Sequence, residues 1–432
     1  MALDLAFALD VALPPGTKGL PAVPPGFTLA DIAGAGWNVL AGDLPMPVAI
    51  LKRSALDANI AAMQAYAARH GASLAPHGKT SMSPQLFARQ LDAGAWGITV
   101  ATAAHAALCD RAGAQRILIA NQLAGEAEVA LVATLAARSP DRAFHVLVDS
   151  AEGAALLQQG FERAGGGARI RVLIELGHAG GRTGVRSVEQ GVALARTVVG
   201  LDRLTLVGIE GYEGLMVGDD PAADAQRVDA YLEQLVALLA AVRGEGLFAG
   251  DRILLTAGGS AYYDLVARRF GALDDGAVDL LLRSGCYVTH DTGFYARHRA
   301  NAQSRAALGP PPRLVNALEV WTRVQSMPEP GLAILTAGKR DLSYDIELPR
   351  PIAFLAAGAV HAPQPIEGWQ ISALSDQHAF LVRDSGGEAT PLQIGDLIGL
   401  GISHPCTTFD KWQVLFEVSD DYAVIGGLKT FF

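Results

Sequence analysis

The chain has 432 residues, 50% of them hydrophobic and 18% charged, with a formal net charge of -10. That is enough apolar content for a large core shared by two domains, and an acidic balance without basic blocks excludes the Lys/Arg footprint that a nucleic-acid partner needs. Cys109, Cys286 and Cys406 are far apart, offer no disulfide framework and suit a reducing cytosol.

The opening segment carries Asp4 and Asp10, lacks a basic flank and does not read as a signal peptide. No apolar run is long enough to span a bilayer, so a cytoplasmic protein without a membrane partner is expected. Residues 1–45 are irregular, broken at Pro14-Pro15, Pro24-Pro25 and Pro45/Pro47. Short runs rich in Val, Ile and Leu then alternate with Ala-rich helical stretches. The runs are 73–76, 97–101, 117–120, 144–148, 170–175, 206–210, 253–256 and 278–282, each short and turn-bounded as strands buried on both faces are. Helices are predicted over 84–93, 103–111, 126–137 and 221–243. Eight β-α repeats in about 210 residues predict a (β/α)8 barrel over residues 46–310. Even spacing favours the closed barrel over a doubly wound sheet. Pro310-Pro311-Pro312 marks a junction. Residues 311–432 carry strand-like runs at 318–324, 332–336, 380–383, 397–401 and 414–418 with no long helix between them, which predicts a smaller, mostly β domain.

Barrels place reactive groups at the C-terminal ends of their strands. The first strand runs into Pro76-His77-Gly78-Lys79-Thr80. A lysine in the barrel mouth has its pKa lowered by desolvation, which frees the amine for Schiff-base chemistry; a single such lysine is otherwise an ordinary loop residue. Arg182 and Thr183 lie in the glycine-rich loop after the fifth strand. Arg182 there faces either a ring nitrogen or a carboxylate, or else is a solvated loop arginine. Gly258-Gly259-Ser260 stands between the seventh strand and a helix. Its amides and the helix dipole suit one phosphate, although Gly-Gly-Ser is also a common tight turn. Tyr287, after the eighth strand, reads as a second phosphate contact or as a buried rim residue. In the second domain, His404 and Cys406 lie two apart on a segment read as extended, which puts both on one face. Imidazole plus thiolate is a reasonable zinc pair. Alone it is half a site, and a buried cysteine beside a bonded histidine is the plainer alternative.

Taken together, these residues resemble the D-serine dehydratase and D-threonine aldolase group of fold-type III, alanine-racemase-like enzymes dependent on pyridoxal 5′-phosphate (PLP). The resemblance runs over nearly the whole chain and includes Pro47–Met63 and Asp376-Gln377-His378. It looks nearest to bacterial proteins called amino acid deaminases. It departs from them at Ser81-Met82-Ser83, where relatives often have His-Lys after the threonine. The resemblance implies a homodimer of PLP-bearing barrels. It makes Lys79 the Schiff-base lysine, sets Arg182 near the pyridine nitrogen and Tyr212 near the ring, and gives the phosphate to Gly258, Gly259 and Tyr287. It also implies that His404 and Cys406 hold a divalent metal. The His-x-Cys pair points to zinc and to dehydration; aldolases of the group tend to carry His-x-Asp and harder metals. The expected reaction converts D-serine or a related D-3-hydroxyamino acid to a 2-keto acid and ammonia, with Lys79 as base for the Cα proton. The alternative is retro-aldol cleavage to glycine and an aldehyde, with His77 or His378 as base. A non-catalytic PLP carrier is a third reading, opposed by the second domain.

Overall fold

The computed structural model describes residues 3–432 except 166, 274, 275, 306–308, 361, 385 and 387. Strand β1 (Val48–Lys52) precedes the barrel strands β2 (Ala72–Leu74), β3 (Ile98–Val100), β4 (Arg116–Ile119), β5 (Ala143–Val148), β6 (Ile170–Leu176), β7 (Leu204–Gly211), β8 (Ile253–Ala257) and β9 (Val278–Leu282). The last eight form one parallel sheet in the order β2-β9-β8-β7-β6-β5-β4-β3. The sheet curls until its ends meet. His77 bridges Thr99 in parallel, Thr99 N donates to Pro76 O at 2.9 Å, and Trp96 N donates to Leu74 O at 2.7 Å. This is the expected barrel, with the eight strands where the apolar runs place them.

Alternation along each strand divides the core in two. Leu118, Leu147, Leu173, Leu254 and Leu281 fill the barrel with Ala75. Their strand neighbours Ile117, Ile119, Val146, Val148, Val172 and Ile174 face the surrounding helices. Those helices begin where local chemistry allows. Pro84 opens the helix Pro84–Asp92, where a missing N–H costs nothing. Asp220 accepts from the N–H of Ala222 and Ala223 to cap the helix Pro221–Gly244.

The second domain contains β10 (Leu318–Glu329), β11 (Leu332–Leu335), β12 (Arg350–Leu355), β13 (Trp369–Leu374), β14 (Ala379–Arg383), β15 (Leu397–Gly401), β16 (Val414–Val418) and β17 (Val424–Lys429). Its sheet runs β13-β14-β11-β10-β1-β16-β17, with β15 joining β10 to β12. Strand β1 lies within this sheet, antiparallel to β10 and parallel to β16. The residues just after 46 therefore belong to the second domain, although they precede the barrel in the chain. Val48 to Leu51 are all fully buried at the centre of that sheet. The N-terminal segment carries a short helix at Ala6–Leu9 and a 3-10 turn at Ala30–Gly34. It is packed: Leu13, Leu29, Ile32 and Val39 bury against Trp321 and Phe416. Among the described residues no helix is long and apolar enough to cross a membrane.

Gly208 offers a direct test of the barrel register. A Cβ there would lie 2.2 Å from the Leu254 carbonyl oxygen, a backbone atom that cannot yield without breaking the β7–β8 pairing. Gly208→Ala is expected to destabilise the protein by about 1–3 kcal/mol, read as a lower denaturant midpoint.

Candidate active site

Lys79 sits on a one-turn 3-10 segment, Gly78–Thr80, directly after β2. Packing fixes the turn. A Cβ at Gly78 would lie 2.8 Å from the Phe87 ring, so only glycine lets the chain pass. Met82, fully buried, follows with φ +42°, a left-handed conformation that non-glycine residues adopt only at a cost of about 1–3 kcal/mol. The Lys79 side chain stays exposed along the mouth of a cavity and is not buried as the sequence suggested.

That cavity has a volume of about 430 Å³ and lies over the C-terminal ends of the strands. Its wall brings together His77, Lys79, Arg182, Tyr212, Gly259, Ser260, His404 and Cys406, from both domains. Burial, reinforced by the charges of Lys79 and Arg283, pushes the His77 imidazole well below its usual pKa, so the ring is neutral at pH 7. Its Nδ1 is buried without a hydrogen-bond partner. The Arg182 guanidinium stands 5.3 Å over the Tyr212 ring.

Beneath the cavity lies a buried acid cluster. Glu175, Glu210 and Glu213 are all nearly inaccessible, and Arg283 is buried among them, paired with Glu210 and donating to Gly211 O at 2.7 Å. Burial pushes the Glu210 carboxyl up to about 8, outweighing the attraction of Arg283. The Thr183 hydroxyl donates to Glu175 at 2.8 Å, so Thr183 braces the Arg182 loop and is absent from the cavity wall.

The Gly-Gly-Ser turn divides its labour in a way the sequence did not show. Gly258 N and Gly259 N donate to the two oxygens of Glu213, at 3.1 and 2.7 Å. These two amides are thus engaged by a protein carboxylate, and Glu213 pins the turn. Ser260 takes the exposed position: its Oγ accepts from Gly285 N at 3.3 Å and Cys286 N at 3.1 Å. The N–H groups of Ser260 and Ala261 donate to no acceptor among the described residues. Tyr287 is buried with its hydroxyl accepting from Gln90 Nε2 at 3.0 Å; it does not line the large cavity, but with Ser260 it lines a small neighbouring one. His378 is exposed in the turn between β13 and β14, closed by Ser375 N to His378 O at 2.8 Å. It does not reach this chain's own cavity, which removes it as a base within one chain.

On the second domain, Cys406 Sγ lies 3.4 Å from Thr80 Oγ1. His404 and Cys406 sit on a turn that leads into the one-turn helix Cys406–Phe409, not on the expected extended strand, yet both still face the cavity. Asp345 holds His404 through Nδ1 at 2.5 Å and accepts from Thr407 Oγ1 at 2.7 Å. No spacing rule singles out Asp345, which is 59 residues away in the chain.

A family model described as "Putative serine dehydratase domain" matches residues 317–418, within the second domain. The D-threonine aldolase of Arthrobacter sp is 29% identical over 374 residues, 87% of this chain and 89% of that protein. The D-threo-3-hydroxyaspartate dehydratase of Delftia sp. (strain HT23) is 28% identical over 385 residues, 86% of this chain and 94% of that protein. The crystal structure of D-threonine aldolase from Filomicrobium marinum matches with a TM-score of 0.76 at 26% identity, covering 91% of this chain and 97% of that one. Over most of its length the chain is similar to the D-serine dehydratase and D-threonine aldolase group. The group is PLP-dependent and shares its fold with alanine racemase.

The residues present fit that cofactor. The amine of Lys79 reaches the cavity, the free N–H groups of Ser260 and Ala261 with the Ser260 hydroxyl suit a phosphate, and the unpartnered His77 Nδ1 is a further polar atom awaiting a ligand. The donors His404 and Cys406 suit a borderline-soft ion. The described residues include no ready-made cluster of three such side chains.

The Glu210 carboxyl gives a pH test. It is neutral in the folded protein up to pH near 8 and ionised in the unfolded chain above about pH 4.3. Folding therefore takes up a proton in that window, so this group's contribution to stability falls as pH rises through it and is flat above it. Urea midpoints should show Glu210→Gln gaining on the parent protein from pH 5 to pH 8; a constant difference would mean that Glu210 is ionised throughout.

Proposed function

We propose that the protein is a PLP-dependent, metal-assisted dehydratase that converts D-serine or a related D-3-hydroxyamino acid to a 2-keto acid and ammonia. The observation that carries this reading is the 3.4 Å approach of Cys406 Sγ to Thr80 Oγ1. It sets a soft metal ligand beside the residue that follows Lys79, so proton abstraction at Cα and departure of the β-hydroxyl are served on one cavity. Bound PLP supplies an electron sink for negative charge at Cα. A divalent ion held by His404 and Cys406 supplies Lewis acidity at the β-hydroxyl.

The chain's own groups do the rest. The Lys79 amine takes the Cα proton. Arg182, stacked on Tyr212, presents a positive charge on the cavity wall. Asp345 orients the His404 ring through Nδ1 and leaves Nε2 for the ion. Glu213 holds the glycine turn so that the Ser260 and Ala261 amides stay free for phosphate. A D-threo-3-hydroxyaspartate dehydratase of the same fold is known as a cysteine-to-alanine mutant in the metal-free form, which is in keeping with a metal in that protein. The thiolate of Cys406 favours zinc. A homodimer is proposed as the working state.

One observation favours the retro-aldol reading. His77 is neutral, lines the cavity and has an unpartnered Nδ1, the state a base for the β-hydroxyl proton needs. Relatives of both kinds exist, an aldolase and a dehydratase at nearly equal identity.

The products decide between the two. Over a panel of D- and L-hydroxyamino acids, keto acid should appear from the D-enantiomers alone; glycine with an aldehyde instead would replace dehydration by cleavage. Borohydride reduction and peptide mapping should place the cofactor on Lys79. Chelation should stop turnover and leave the PLP absorbance in place. Cys406→Ala should keep the fold and lose about tenfold or more in kcat, whereas a purely structural thiol would cost stability and spare specific activity.

A further inference from the structure

Cys286 has no part in the chemistry above, yet it stands on the same cavity. It opens the 3-10 turn Cys286–Val288 after β9, and its backbone N–H is fixed by Ser260 Oγ at 3.1 Å. The preceding residue is locked: a Cβ at Gly285 would lie 2.5 Å from Thr80 Oγ1 and 2.6 Å from His77 O. The barrel therefore delivers the Cys286 side chain to one place, and that place faces Cys406. The two sulfurs are 3.4 Å apart, with Thr80 Oγ1 3.4 Å from one and 3.9 Å from the other.

That separation is informative. Both thiols are free, and a disulfide would need about 2.0 Å. Two thiolates on one tetrahedral zinc, each at about 2.3 Å, stand about 3.8 Å apart along the tetrahedral edge. The observed pair is close to that edge before any ion is present. The contrast is Cys109, fully buried in the hydrophobic core, where a thiol is only a small hydrophobe.

We propose that Cys286 is a third protein ligand of the metal, completing a His-Cys-Cys set with His404 and Cys406 and leaving one position open. This rests on the metal reading above and deepens it. It resolves the shortage of ligands in the His-x-Cys pair, since catalytic zinc takes three protein ligands and one exchangeable position. The described side chains include no ready-made cluster of three, so holding an ion on all three would require the His404 ring, now bonded to Asp345, to turn toward the thiols. The site then bridges the domains: the barrel gives one sulfur, the second domain gives the other sulfur and the imidazole. It also ties the metal to the phosphate cradle, because Cys286 would offer its side chain to one and its backbone N–H to the other.

The test is X-ray absorption on the zinc-loaded holoenzyme, which needs no variant. Two sulfur neighbours at about 2.3 Å are expected; one sulfur overturns the inference and leaves the His404–Cys406 pair standing. No bound zinc, or zinc without sulfur, overturns both. Cobalt substitution gives a second readout. Cys286→Ser should halve the thiolate-to-cobalt absorption, and chelator competition should show metal affinity weakened by about tenfold or more. Unchanged absorption in Cys286→Ser, with loss in Cys406→Ser, also overturns the proposal. These readouts follow the metal and not turnover, so they stand apart from whether the reaction is dehydration or cleavage.

Discussion

The architecture depends on β1 lying inside the second domain's sheet. The chain enters that sheet first, between the later strands β10 and β16, then builds the whole barrel, and only afterwards returns to supply β1's neighbours. The barrel is thereby inserted within the second domain. The helix Arg53–Arg69 leaves β1 directly, and its Asn59 is bonded in both directions to Val315, in the segment leading to β10, at 2.8 Å. Lys52, at the end of β1, pairs with Glu319 of β10 at 2.7 Å. Two domains joined only by a proline-rich segment would be free to move; here the helix Arg53–Arg69 gives a second connection, pinned at Asn59 to Val315.

That constraint is what makes one cavity out of two half-sites. The barrel presents Lys79, Ser260 and Cys286 at strand ends, and the second domain presents His404 and Cys406 on a turn. A relative shift of a few ångströms would separate Cys406 from Thr80 and Cys286, which it now touches at 3.4 Å. Further pins act at the same seam. Phe431 N donates to Met82 O at 3.0 Å, and Gln85 donates to Gly427 O at 3.4 Å, so the chain's last strand holds down the loop that follows the lysine turn. The unusual backbone of Met82 is held within this contact.

The acid cluster under the cavity serves a related purpose. A bare glycine turn would leave its amides to whichever anion arrived. Glu213 takes those of Gly258 and Gly259 and leaves those of Ser260 and Ala261. Arg283 lies among the carboxylates, paired with Glu210 and with its guanidinium on Gly211 O, so the ends of β7, β8 and β9 are cross-linked below the reacting groups. Burying three carboxylates around one arginine is costly, and the raised Glu210 carboxyl is how that cost is relieved, by neutralising one charge.

By itself the sequence determined the barrel. Strands buried on both faces must be continuous apolar runs, and helices between them must carry caps, so each β-α unit is written locally; eight such units allow few other closures. Lys79, Arg182, Tyr212, Ser260, His404 and Cys406 were legible for the same reason, since each belongs to a strand end or a short motif. Only the tertiary structure decided which strand ends meet across domains. The apolar run Val48–Leu51 looks like any barrel strand, because burial on both faces is common to the centres of both sheets. Asp345 and Glu213 act through contacts to residues 59 and about 45 positions away, and Cys286 acts through one 120 away. Tyr287 and Cys286 are neighbours on one turn, and a single step along it sends the first to Gln90 and the second to the cavity. Sequence spacing reports which face of a local element a side chain takes. It cannot report what stands opposite, because that is set by the closure of the barrel and by the place of β1 in the other sheet.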